Sequence, residues 1–159
     1  MKRIVLLAML SFMIMASGFA QEPLTVELKF NELIQKYEKV KGVECMTLVK
    51  GRGLGMVKMM LNKQFGKDFM KGVTSIAIIN YSESSQETCL ALRNELDAFK
   101  SLLEEFNVGE AKAFDSNDYV RGFASASSDD KTISDFIIAV EEKDSKIIMY
   151  MAGKIKVAQ

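Results

Sequence analysis

TISDFIIAVEE (Thr132–Glu142) and KIIMYMAGKI (Lys146–Ile155) are two apolar runs joined by the polar triplet Lys143–Ser145. Their cores, Phe136–Val140 and Ile147–Met151, are continuous, rich in β-branched residues and too short for typical helices. Such continuous apolar cores suit central positions in the sheet. The intervening polar turn makes them an antiparallel hairpin.

Upstream, DYVRGFASAS (Asp118–Ser127) and EAKAFD (Glu110–Asp115) flank Ser116 and Asn117, a candidate two-residue turn. The chain beyond Gly109 is therefore expected to form four antiparallel strands in sequence order. Before it the pattern is helical. Phe30, Leu33, Ile34, Tyr37 and Val40 recur at helical spacing up to Gly42, and a short strand follows over 43–49. A second helix is expected over about 54–64, with Met56, Val57, Met59, Met60 and Leu61 covering more than one stripe. GVTSIAIINYS gives a central strand over 73–81. Ser84 with Glu87 three residues on has the form of a capping box, opening a long helix over 85–106 along the seam Cys89, Leu92, Leu96, Phe99, Leu103 and Phe106. Strands gathered at one end predict an α+β fold, a mostly antiparallel sheet with a C-terminal four-strand meander, covered on one face by helices.

Lys2 and Arg3, the apolar run 4–15 and the small-residue stretch ASGFA form a secretory signal peptide over residues 1–20, with cleavage expected after Ala20. The apolar run is short for a bilayer span. The mature chain, 21–159, has no Pro-, Gly- or Ser-rich linker and reads as one domain, periplasmic or secreted, with no transmembrane segment. Removal of Lys2 and Arg3 leaves 19 basic residues against 21 acidic, a net charge of −2, which gives no general footprint for nucleic acid. No cysteine follows the apolar run to carry a lipid. Cys45 and Cys89 either remain thiols or form a bridge, and Cys89, lying on the helical seam, reads first as a buried thiol.

VKGRGLGMVKMM (Val49–Met60) has the outline of a phosphate-binding loop. A dinucleotide fingerprint would need a glycine where Met56 stands, and the Gly-Lys-Ser/Thr of a phosphate loop is also lacking. What remains is a looser candidate. Amides after Gly53 and Gly55, with Lys50 and Arg52, could hold an anion at a helix start, while the simpler reading makes the glycines a tight strand-to-helix turn. Lys50, Arg52, Lys58, Lys63, Lys67 and Lys71 against Asp68 make this segment locally +5, interleaved with Met and Phe. That pattern suits an envelope protein partner or an anionic lipid surface. Residues 83–106 carry −4, so charge balance within the molecule is the competing reading.

Histidine is absent, and two isolated cysteines fall short of a zinc cluster. No cofactor is implied. The seven methionines of the mature chain read as core filling, and FDSND and SSDDKT lack the spacing of a calcium loop. Ser128 with Lys131, and Tyr37 with Lys41, match two short catalytic spacings without the structural setting either needs. The reading leans away from catalysis, towards a binding or interaction module. The alternative is a small-ligand carrier or enzyme using a carboxylate and tyrosine pocket between sheet and helices. The signal peptide, the strand signatures GVECMTLVKGRGLGMVKMM and GVTSIAIINYS, and the terminal DFIIAVEEKDSKIIMYMAGKI resemble a family of exported Bacteroidetes proteins known as domain of unknown function 4252. That resemblance implies export and brings no reaction, cofactor or catalytic residue. Many of its members look like lipoproteins, an anchoring this chain lacks the cysteine to share.

Overall fold

The computed structural model describes residues 25–48, 52–65, 70–106, 118–125 and 132–156. The elements are α1 (Val26–Tyr37), β1 (Glu44–Leu48), α2 (Arg52–Phe65), β2 (Val73–Asn80), α3 (Gln86–Asp97), a 3-10 turn (Ala98–Ser101), β3 (Glu104–Phe106), β4 (Tyr119–Ala124), β5 (Thr132–Glu141) and β6 (Lys146–Lys156). The fold is α+β. The six strands form one open sheet in the order β1-β2-β6-β5-β4-β3, with every pair antiparallel. β6 enters between β2 and β5, so the two apolar runs of the terminal hairpin occupy the interior of the sheet.

Alternation along these strands divides the core. Ala77, Ile79, Ile137, Ala139, Ile148 and Tyr150 face one way, and α1 covers them with Phe30 and Leu33, α3 with Cys89, Leu92 and Leu96. Ile76, Phe136, Ile138, Val140, Met149 and Met151 face the other way, where Leu54 and Val57 of α2 and Met70 join them. Helical side chains thus contribute on both faces, where the apolar patterns led one to expect a single covered face. The continuous runs in β5 and β6 follow directly, since neither face of these strands is left to water.

Thr25 caps α1, its hydroxyl accepting from the Leu28 amide at 3.2 Å. The cap of α3 is Ser85, which accepts from Thr88. Ser84, expected to be the cap, instead donates its hydroxyl to the Tyr81 carbonyl at 2.7 Å. The helix expected over 85–106 stops at Asp97. The 3-10 turn keeps Phe99 buried, and the chain then straightens into β3, which pairs with β4 and lets Phe106 meet the Phe136 ring at 5.6 Å. The strand expected at 110–115 and the turn at Ser116 and Asn117 lie outside the described residues, as does the leader 1–20. Gly42 ends the connection after α1 at φ 80°, and a side chain there would run into the Glu83 carbonyl. Among the described residues no helix is long and apolar enough to cross a membrane.

Candidate functional site

A concavity of about 760 Å³ opens beside the start of α1 where the sheet is irregular. The pairing of β2 with β6 slips between Val73 and Ser75, and that of β5 with β6 slips between Ile133 and Asp135. Gly153 lies opposite both slips. Its φ of 137° suits glycine, and a Cβ there would come within 2.1 Å of the Gly72 carbonyl oxygen. Two backbones can touch here only because neither residue has a side chain. The slips bend the strands apart, and the hollow forms between them and the first turn of α1.

Asp135 and Tyr150 meet in this hollow. The Tyr150 hydroxyl donates to Asp135 Oδ1 at 2.6 Å, and Ser134 donates to Oδ2 at 2.9 Å. Burial pushes the Tyr150 hydroxyl well above the ordinary tyrosine range, with the Asp135 carboxylate adding to the effect, so the phenol keeps its proton. Glu27, Thr25, Thr74 and Lys154 complete the polar lining. The wall therefore offers two carboxylates and one ammonium.

A second polar centre occupies the opposite end of the same sheet face, four residues along β6 from Tyr150, or about 13 Å at the rise of a strand. Glu141 is only 8 % exposed. It accepts from Tyr81 Oη at 2.9 Å and from Arg93 Nε at 2.9 Å, while the second Arg93 nitrogen reaches Glu141 Oε2. Burial opposes ionisation of Glu141, yet hydrogen bonds from Arg93 and Tyr81 outweigh it and hold the carboxyl below its ordinary range. The Arg93 guanidinium also lies 4.2 Å from the centre of the Tyr119 ring. Cys89 adjoins this centre, with Lys146 Nζ 3.4 Å and Ser84 Oγ 3.5 Å from its sulfur.

The residues singled out from sequence are placed differently. Gly53 and Gly55 lie inside α2, which starts at Arg52, and neither has positive φ. The tight turn expected of them is not made by these two residues. Arg52 is exposed and Lys58 half-buried on that helix. Lys50 and the side chain of Lys63, two members of the candidate anion cradle, lie outside the described residues. Met56 and Met59 stand 64 % and 65 % exposed. Cys45 and Cys89 are free thiols, so the candidate bridge is absent. β2 separates the strand of Cys45 from β6, over whose first residue Cys89 sits. Three of the six acids of 83–106 find partners away from α2: Glu95 with Lys36, and Asp97 and Glu105 with Arg121. Tyr37 is buried and directed at Glu95, 3.4 Å away, rather than at Lys41. Ser128 and Lys131 lie outside the described residues.

Sequence reasoning named neither Asp135 and Tyr150 nor Glu141 and Arg93. Gly153 inside a strand pattern was the one local signal of an irregularity. Among the described residues no three acidic or thiol side chains converge as a metal site would require. No family profile, curated protein or solved structure matches the chain.

Proposed function

We propose that the chain is an exported, non-catalytic binding module of the cell envelope, and that the hollow at Asp135 and Tyr150 receives a small hydrogen-bond-donating ligand. The carrying observation is the pairing of a carboxylate with a protonated phenol in a concavity of about 760 Å³ at the junction of sheet and helix. Pockets of that size with few convergent polar groups are where small molecules bind. Glu27 and Asp135 outnumber Lys154, so a cationic amine carrying hydroxyls is the best electrostatic match. Export rests on the basic, apolar and small-residue order of the first twenty residues, and the likeness to the Bacteroidetes family agrees with it.

The test is amide chemical-shift mapping of the mature chain with glucosamine and spermidine, using glucose as the neutral comparison. Shifts at Thr74, Asp135 and Lys154 that saturate with an amine, and that Asp135→Asn abolishes, are the expected outcome. Shifts spread over the surface, or unchanged by Asp135→Asn, would overturn the small-ligand reading.

A second reading is supported by α2. Arg52, Met56, Met59 and position 63 follow one helical stripe, and both methionines are mostly exposed. An apolar stripe with basic flanks suits an anionic surface or an envelope partner. Co-sedimentation with phosphatidylglycerol vesicles, and its loss in Met56→Ser/Met59→Ser, would support the lipid surface. Equal sedimentation of both proteins would remove it.

A further inference from the structure

The Cys89 thiol and the Lys146 amine belong to different elements, yet the fold fixes their distance. Lys146 opens β6, and its backbone is tied twice to the segment before α3. Its amide donates to Ser82 Oγ at 2.9 Å, and its carbonyl accepts from the Tyr81 amide at 2.9 Å. That segment passes through Ser84 to Ser85, whose carbonyl accepts from the Cys89 amide at 3.0 Å in the first turn of the helix. The strand end and the helix start are thus held in one short circuit of hydrogen bonds. Within it Lys146 Nζ stands 3.4 Å from Cys89 Sγ.

Two further contacts bear on reactivity. Ser84 Oγ lies 3.5 Å from the same sulfur, and because its proton goes to the Tyr81 carbonyl it is placed to accept from the thiol. Lys146 pairs in register with Glu141 across the β5–β6 ladder, so a carboxylate lies beside the amine. Cys89 itself is buried, but Ser84 and Lys146 on either side of it are half-exposed, and the turn 142–145 next to them is exposed. With 5 % of Cys89 exposed, a small neutral oxidant is favoured there over a second protein.

We propose that Cys89 and Lys146 are an oxidative cross-linking site, at which hydrogen peroxide joins the two side chains through a sulfur–nitrogen bond. In the first step the Cys89 sulfur attacks one peroxide oxygen and the O–O bond breaks. Water leaves with the thiol proton, and sulfur, oxidised by two electrons, becomes a sulfenic acid as the peroxide is reduced. In the second step the uncharged Lys146 amine, its extra proton given to solvent, attacks that sulfur. The S–O bond breaks, the S–N bond forms, and hydroxide leaves as water with the proton lost by nitrogen. A thiol reductant reverses the link by attack on sulfur, releasing the amine. The product staples the first turn of α3 to the start of β6.

The experiment uses the mature chain carrying Cys45→Ser, so that no disulfide can form within it. The protein is reduced, desalted, treated with hydrogen peroxide and examined by intact mass and tryptic mapping. The expected product is lighter than the reduced chain by two hydrogens. Its Cys89 resists alkylation, its trypsin cut after Lys146 is lost, and the peptides holding residues 89 and 146 travel as one until dithiothreitol separates them. Lys146→Arg keeps the positive charge and removes the primary amine. In that background the loss of two hydrogens should vanish, with circular dichroism confirming the fold. Oxidation of Cys89 that only adds oxygen while Lys146 is still cut would overturn the proposal, as would an unchanged two-hydrogen loss in folded Lys146→Arg.

Discussion

Arg93 on α3 holds Glu141 at the end of β5 through both carboxylate oxygens, and Tyr81 completes the contact with a hydroxyl 2.9 Å from Oε1. The end of β5 is thus joined at one charge to the stretch from Tyr81 to Arg93, 60 to 48 residues earlier in the chain. The Glu141 carboxyl is held below its ordinary range in the folded chain. In the unfolded chain it reverts to about 4.3. The stabilisation is therefore complete above that value and is lost as pH falls through the lower, folded one. Asp97 and Glu105, lowered chiefly by their hydrogen bonds with Arg121, act in the same direction.

Glu141→Gln should lower stability near pH 7 by about 2 kcal/mol, the scale of a hydrogen bond to a charged group. It should also flatten the decline between about pH 5 and 3. Urea midpoints measured across that range test both. A variant that declines as steeply as the parent would mean that the acid sensitivity lies elsewhere.

Gly153→Ala should destabilise the chain by about 3 kcal/mol or more, because a positive φ and a collision with the Gly72 carbonyl act together. The slip in β6 pairing has no room for a methyl group. Chemical denaturation reads the loss, and unchanged stability would show that the two backbones separate easily.

Tyr150→Phe should cost about 1 kcal/mol, the net worth of a hydrogen bond, since Ser134 still serves the other Asp135 oxygen. A double-mutant cycle with Asp135→Asn should return a coupling of about 1 kcal/mol by thermal denaturation. Additive losses would mean that the two groups act independently.

Leu92→Ala, at a fully buried position between α3 and the sheet, should cost about 3 kcal/mol through the cavity it leaves. Met56→Ser should change stability by less than about 0.5 kcal/mol. The contrast separates core from outward face on helices that look equally apolar in sequence.

The interior strands were legible because burial on two faces leaves an unbroken apolar run, as in Phe136–Val140. α1 was legible from the spacing of Phe30, Leu33 and Tyr37. The end of α3 was not, since Phe99 and Leu103 continue its seam and stay buried after the helix has stopped, and no glycine or proline marks the break at Asp97. The Ser84 cap was misplaced by one residue because two adjacent serines offer the same hydroxyl, and only the position of the Tyr81 carbonyl decides between them. Asp135 and Tyr150 were invisible for another reason. They are diagonal neighbours in the β5–β6 register, where Asp135 faces Ala152 and Ile137 faces Tyr150, and neither strand alone reveals that register.

β6 is the last strand described, and it lies inside the sheet with partners on both sides. β2 emerges from the ribosome long before the strand that must lie beside it, and β5 waits for the same neighbour. Chains halted before Lys146 would carry two unsatisfied strand edges with apolar faces, a species prone to stick to others like itself. Completion of the sheet therefore waits for β6 to be made, and until then the edges of β2 and β5 stay open.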